Sequence, residues 1–252
     1  MDAQLLMKTA ALAGELMLCS GAETYRVEDT MHHILKTADN LEMAEVLVIM
    51  TGITATIKQK DENVISIVKR VNRRTTNMSR IMEVNDISRR YCGEEITLEE
   101  AYKELSGLKK NIYSRLENRL GVLGICVGFS IFFGGGIREI LVTLLVGLVL
   151  TACMTIGEKM RFHAFLQDVF GSFGIAVSSL LLSSLVKVNL DTVIISSIMP
   201  MVPGVAITNA VRDTLQGDYL SGSARVLEAF LKAAGIAVGI AIGLLLMGVV
   251  GF

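Results

Sequence analysis

After residue 117 the chain falls into five apolar stretches, about 118–134, 138–156, 168–187, 191–209 and 231–252, joined by short polar connections. Each approaches the roughly 20 residues that a helix needs to cross the hydrocarbon core of a bilayer. The second holds no charge between Glu139 and Glu158, and the fifth ends in AAGIAVGIAIGLLLMGVVGF, uncharged throughout. Before residue 117 the periods are those of a folded domain. Leu5, Leu12, Leu16 and Leu6, Ala13, Met17 recur at helical spacing, which predicts an amphipathic helix over 4–18 ending at Ser20-Gly21. A second helix covers 24–38. EVLVIM (45–50), ITATIKQ (53–59) and VISIVKRV (64–71) are β-rich runs, and Thr51-Gly52 and Asp61-Glu62-Asn63 between them are turn compositions, so a meander is expected. Helices over 78–91 and 97–118 follow, the latter opened by the capping box Thr97-x-x-Glu100 and expected to run on into the first apolar stretch as one arm. The fold class is therefore an α-helical polytopic membrane protein: an N-terminal α+β domain, 1–117, then a domain of five transmembrane helices, 118–252.

Composition sharpens this division. The 52% of hydrophobic residues barely exceeds the soluble average of roughly 45–50%, but residues 1–119 hold 17 Lys/Arg and 18 Asp/Glu, 35 of the 49 charges, while 18 of the 23 glycines follow residue 120. Lys8 and Glu15 interrupt the first apolar run and no small-residue cleavage site follows it, so no signal peptide is expected. Basic residues in the connections set the orientation. Lys109, Lys110, Arg115, Arg119, Lys159, Arg161, Arg212, Arg225 and Lys232 lie on the side of the N-terminal domain, against Arg138 and Lys187 on the other. The N-terminal domain is thus expected in the cytoplasm and Phe252 outside. A net charge of −1 gives no basic stripe for nucleic acid. Four scattered cysteines without C-x-x-C spacing and the adjacent His32-His33, whose rings diverge by about 100° on a helix, give no metal site, and no cofactor motif is present. Gly235, Gly239, Gly243 and Gly124, Gly128 recur every four residues, a spacing that lets helices approach closely, either within the bundle or between subunits.

The polar chemistry of the membrane part concentrates in IMPMVPGVAITNAVRD, 198–213. Pro200 and Pro203 each remove an N–H donor and Gly204 loosens the next position, so the fourth stretch is expected to break near its centre. Freed carbonyls at that depth must face protein or water, and broken helices near the midplane are where secondary transporters bind substrate and ions. Pro200, Pro203, Gly204, Thr208 and Asn209 are the candidate substrate-binding residues; an ordinary proline kink is the alternative. Asp213, and Asp168 at the start of the third stretch, are candidate proton-coupling carboxylates. Ser178, Ser179, Ser183 and Ser184 give that stretch a hydroxyl-bearing face. Glu228 and Lys232, four apart, suit a helix surface pair. In the N-terminal domain SGAETYRVEDTM (20–31) crowds Glu23, Thr24, Arg26, Glu28 and Asp29, and Asn85-Asp86-Ile-Ser-Arg89 forms a second cluster. Two carboxylates and an arginine suit a zwitterion, a hydrolytic site or a salt-bridge network; no nucleophile motif is present.

Ser20-Gly-Ala-Glu-Thr-Tyr-Arg-Val-Glu-Asp-Thr30, the Asn85–Arg89 cluster and Pro200-x-x-Pro-Gly204 together, in this order, resemble the threonine/serine exporter family over nearly the whole chain. The resemblance implies a bacterial inner-membrane exporter of small hydrophilic metabolites, threonine and serine or a dicarboxylate such as succinate, driven by the proton gradient. It also places Glu23, Thr24, Arg26, Glu28 and Asp29 in the family's cytoplasmic motif, and Pro200, Pro203, Gly204, Asn209 and Asp213 in its membrane motif. The longest members carry about ten membrane helices, so a chain with five resembles the split form, whose partners are the lipid bilayer and a separate small membrane subunit or a second copy. The expected function is that of an exporter subunit rather than an enzyme. The rival readings are a membrane-anchored metabolite sensor or scaffold, and a hydrolase acting through residues 1–115.

Overall fold

A computed structural model describes residues 2–60, 63–72, 74–108 and 113–250, with side chains up to Gly248. Asp61 and Glu62 of the expected turn, the basic residues Arg73, Lys109 and Lys110, and Phe252 lie outside the described residues. The chain forms two compact units. The first combines Met1–Ile112 with Gly204–Leu227, and the second combines Tyr113–Pro203 with Glu228–Phe252. The first unit is therefore discontinuous, taking in the C-terminal part of the proline-bearing segment and the loop after it.

The N-terminal part of the first unit follows the predicted order. Helix α1 (Ala3–Cys19) starts at Asp2, whose carboxylate accepts the Gln4 and Leu5 N–H groups at 2.9 and 3.2 Å, and stops where Gly21 turns with φ 87°, a left-handed conformation that glycine adopts without strain. Helix α2 (Thr24–Leu35) is followed by strands β1 (Leu41–Ile49), β2 (Gly52–Gln59) and β3 (Ile65–Arg70), in an antiparallel sheet of order β1-β2-β3. Ile49 pairs with Gly52 and Thr54 with Val68. Ile53, Ala55 and Ile57 alternate onto the buried face, as period-2 patterning requires. They pack against Leu6, Met17 and Leu18 of α1, Met31 and Ile34 of α2, and Val84 of helix α3 (Met78–Cys92). Helix α4 (Leu98–Gly107) carries the predicted capping box and adds Leu105 to this core.

The expected continuous arm over 97–118 is not formed. Helix α4 stops at Gly107 and Leu108 is extended, while Ser114 and Glu117 make a fresh capping box that opens α5 (Arg115–Phe132). A second start signal within the span begins a separate helix.

The second unit contains α5, α6 (Ile137–Lys159), α7 (Ala164–Leu185), the short α8 (Leu190–Ile198) with a 3₁₀ turn at Met199–Met201, and the greater part of α10 (Tyr219–Val250). Among the described residues three helices are long and apolar enough to cross a membrane: Ile137–Lys159, Ala164–Leu185 and Tyr219–Gly248. A fourth span results if the bent pair Leu190–Met201 and Gly204–Leu215 (α9) is taken as one. The expected count of five is thus not reached by length and composition. Helix α5 has 18 residues, and its first turns carry Arg115, Glu117 and Arg119. Val142, Val146 and Leu150 of α6, Ile175 of α7, Val193 of α8 and Ile236 of α10 form the core of this unit.

The two glycine repeats have different fates. In α10, a Cβ at Gly235 would meet the Asp168 Cβ at 3.2 Å, and one at Gly239 would run into the Val169 carbonyl and come within 2.9 Å of the Phe173 nitrogen. The stripe packs α10 onto α7 of the same chain. A Cβ at Gly124 or Gly128 would meet nothing within 4 Å among the described residues, so the close approach expected there is not made by them. The serines of α7 mostly bond back to their own helix, Ser178 to Gly174 O at 2.6 Å and Ser183 to Leu180 O at 2.9 Å.

A Gly239→Ala substitution forces backbone atoms apart and is expected to cost about 1–3 kcal/mol, the usual penalty of overpacking. Gly124→Ala should leave stability unchanged. Thermal unfolding of the two variants in the same detergent compares them directly.

Candidate functional site

Two constellations emerge, one in each unit. In the second unit the helix break is built by the prolines. Pro200 cannot donate to the Ser196 carbonyl, and Pro203 disfavours helical backbone at the residue before it. Val202 is accordingly extended, its N–H turned back to Met199 O at 3.2 Å. The Ser196 and Ser197 hydroxyls beside the break are buried and have no hydrogen-bond partner among the described residues. Pro200 and Met201 line a cavity of about 400 Å³ whose polar wall is Gln167, Asp168, Glu228 and Lys232 and whose apolar wall includes Met154 and Phe165. This is the size of a small-molecule site, an apolar concavity with a few convergent polar groups. It holds both signs of charge, two carboxylates and one ammonium.

In the first unit α9 and the start of α10 are fastened to the α1–α2 turn by buried polar contacts. The N-cap of α2, Glu23, makes no side-chain capping bond. The Asp213 carboxylate supplies it instead, accepting the Thr24 N–H at 3.1 Å and the Thr24 hydroxyl at 2.9 Å with one oxygen. Its other oxygen lies 2.8 Å from Arg225 Nε, in a pair whose side chains are 0% and 6% exposed. Arg225 also donates to Ala22 O, and the Asn209 amide donates to Gly21 O, both at 2.8 Å. Arg212 pairs with Glu23 at 2.5 Å, and Arg26 lies 3.5 Å from the other Glu23 oxygen. The Ser221 hydroxyl accepts the Met50 N–H at 3.2 Å.

The electrostatics follow from these contacts. Burial alone would raise the Glu23 carboxyl, but a backbone hydrogen bond and the guanidinium groups of Arg212 and Arg26 outweigh it and hold it below the usual carboxylate range. Glu28 moves the other way. Burial, with Asp218 and Asp213 nearby, pushes it up although it accepts the Val48 N–H at 2.8 Å.

Each predicted residue now has a place. Pro200 and Asp168 share the cavity. Pro203 ends the second unit, and Gly204 opens α9 in the first. Thr208 is exposed, and its hydroxyl bonds back to Gly204 O and Val205 O at 3.2 and 3.1 Å. Asn209 and Asp213 face the α1–α2 turn. The N-terminal motif divides: Glu23 and Thr24 hold α9, Glu28 reaches β1, and Arg26 and Asp29 line a trough with Asn85. Asp86 instead pairs with Arg90 at 3.0 Å on the surface. Sequence reasoning missed Glu28's neighbour Asp218, the buried Arg225, and the cavity residues Glu228 and Lys232, which spacing alone assigns to a surface pair. The available signal for Arg225 was a lone arginine between small residues, SGSAR, at the entry to an apolar helix.

Three helices long and apolar enough to cross a membrane, or four with the bent pair, mark this chain as a membrane protein, with a proline-broken helix beside a mixed-charge cavity. The sequence profile of the threonine/serine exporter family, ThrE, matches residues 8–247, and the chain belongs to that family, a family of exporters rather than enzymes. A protein of Mycobacterium tuberculosis named "Probable threonine/serine exporter" is 24% identical over 233 residues, 91% of this chain and 44% of its own length. The "Threonine/serine exporter" of Corynebacterium glutamicum is 23% identical over 250 residues, 95% of this chain and 50% of its own length. The chain thus spans about half the length of these curated relatives. No solved structure matches it.

Asp213→Ala strands the buried Arg225 and the Thr24 N–H, and should destabilise the first unit by about 3–5 kcal/mol. Asp213→Asn, which keeps an acceptor for Thr24, should cost less; thermal unfolding ranks them. Because the folded Glu23 carboxyl lies below its unfolded value, its contribution is complete above the unfolded value and lost as pH falls through the folded one. Glu23→Gln should therefore flatten the acid side of the stability–pH curve.

Proposed function

We propose that this chain is a subunit of a secondary exporter of small polar amino acids, threonine and serine, driven by the proton gradient. The observation that supports this reading is the cavity of about 400 Å³ at the Pro200 break, lined by Asp168, Glu228 and Lys232. A zwitterion meets its complement there, its carboxylate at the Lys232 ammonium and its ammonium at the carboxylates, with Gln167 as a further polar group. A dicarboxylate such as succinate would set its second carboxylate against Asp168 and Glu228, so the charge pattern favours the amino acid, in keeping with the names of the relatives.

Asp168 is the coupling carboxylate in this reading. It lines the cavity, so protonation there weakens its attraction for a substrate ammonium and release follows. Asp213 serves differently: both of its oxygens are committed to Thr24 and Arg225, which suits holding α9 rather than carrying a proton. The basic residues that favour the side of the N-terminal domain support a cytoplasmic position for it, in a bacterial inner membrane. In this reading the chain works with a separate small membrane subunit or a second copy.

Threonine efflux from cells expressing the chain together with its partner tests this reading. Lys232→Gln and Asp168→Asn should each reduce efflux by about tenfold or more, as expected for loss of a charged contact worth roughly 1.5–3 kcal/mol. In proteoliposomes Asp168→Asn should also abolish the response to an imposed pH gradient. Unchanged efflux in both variants, at equal membrane levels, sinks the assignment.

A further inference from the structure

We propose that the trough between α2 and α3 is a second ligand site, separate from the cavity at Pro200, and that it binds a small metabolite bearing a carboxylate. Helix α2 presents Arg26, Asp29, Thr30 and His33 to it, and α3 presents Asn85, Ser88, Arg89 and Cys92. Both sets follow the spacing i, i+3, i+4, i+7, one stripe of each helix. Stripes at that spacing on neighbouring helices ordinarily close on each other with apolar side chains. Here the apolar stripes, Val27, Met31 and Ile34 on α2 and Ile81, Val84 and Ile87 on α3, belong to the core, and the polar stripes beside them leave an open volume of about 390 Å³. That volume lies within the roughly 300–1,000 Å³ of small-ligand sites.

The lining has a floor and a rim. Thr30 and Ser88 are buried at its base, whereas Asp29, His33 and Arg89 stand exposed at its mouth. Asp29 is engaged by His33 at 3.3 Å, and Arg26 shares Glu23. The Arg89 guanidinium has no ion-pair or hydrogen-bond partner among the described residues, and neither does the Asn85 side chain. A guanidinium, an amide and a hydroxyl, at 89, 85 and 88, therefore offer donors within one helical turn. A planar carboxylate matches the guanidinium fork and takes the neighbouring donors as well. Two guanidinium groups against one carboxylate leave the trough biased toward an anion.

Occupancy has a route to the rest of the unit. Arg26 stands at the end of the chain Arg26–Glu23–Arg212, which joins α2 to α9. A ligand carboxylate that draws on Arg26 competes with Glu23 and loosens the grip on α9. The site is thus suited to reporting metabolite level to the segment that follows the helix break. It stands whether or not the cavity at Asp168 is the transport site.

Cys92 supplies the readout. It lines the trough, and burial pushes its thiol up, with the Ser88 hydroxyl acting in the opposite direction, so it is slow to alkylate and sensitive to cover. The full chain in nanodiscs is treated with N-ethylmaleimide alone or with L-threonine, succinate or inorganic phosphate, and modification of Cys92 and Cys19 is quantified by peptide mass spectrometry. L-threonine or succinate should slow Cys92 modification severalfold and leave Cys19 unaffected, and the exposed substitution Arg89→Gln should abolish the protection while the melting temperature is kept. Protection by phosphate alone, by no compound, equally at Cys19, or undiminished in Arg89→Gln would overturn the proposal.

Discussion

The first unit depends on one buried carboxylate. Asp213 lies 189 residues from Thr24 along the chain, yet it caps the helix that Thr24 begins. The N-terminal N–H groups of a helix need acceptors, and the helix dipole favours an anion there. Glu23 leaves that place open because its own side chain is taken by Arg212 and Arg26. An unpaired carboxylate buried here would be costly, and so would Arg225 without Asp213. The two are tolerable together as an ion pair, with Thr24 donating to one Asp213 oxygen and the Ala22 carbonyl accepting from Arg225. Everything that joins Gly204–Leu227 to the N-terminal residues is arranged around this pair.

The proline break has a different physical origin and serves the other unit. It follows from backbone chemistry alone: a missing donor at Pro200 and an excluded helical conformation at Val202. What it produces is not a naked row of carbonyls but a short 3₁₀ turn that brings Met201 and Pro200 to the wall of a cavity. The charges of that cavity come from other elements, Asp168 from α7 and Glu228 and Lys232 from α10. The close packing of α10 on α7 through Gly235 and Gly239 lets these two helices share the site.

Much of this was legible in the sequence because it rests on local rules. The helices of the first hundred residues, the β-meander, the capping box at Thr97 and the break at Pro200–Pro203 are all set by spacing, turn chemistry or proline sterics, which act within a few residues. The errors arose where a local signal competed with another or where the partner was remote. The capping box Ser114-x-x-Glu117 inside the span expected as one arm marks a new helix start. The first apolar stretch, 118–134, falls outside the three long apolar helices because α5 has 18 residues and carries Arg115, Glu117 and Arg119. The polar end of the proline-bearing segment, Asn209 and Asp213, carries no local sign of what it contacts. Its partners, Gly21, Thr24 and Arg225, lie outside any window that periodicity can scan.

Glu228 and Lys232 make the same point in reverse. Four apart on a helix, they satisfy the rule for an exposed i, i+4 pair, and with no knowledge of α7 that is the economical reading. Once α10 lies on α7, the face that carries them stands beside Asp168, and the same charges line one cavity, Glu228 at its exposed side. A charged pair just before a long uncharged apolar run of a helix differs from one on a soluble surface. In lipid there is no water to satisfy it, so it is tolerated where it faces protein or a hydrated cavity. Charge is scarce after residue 119, 14 of the 49 charged residues. That scarcity makes the gathering of Asp168, Glu228 and Lys232 around one opening more telling than any single motif, because each of the three would otherwise have to be carried at the expense of stability.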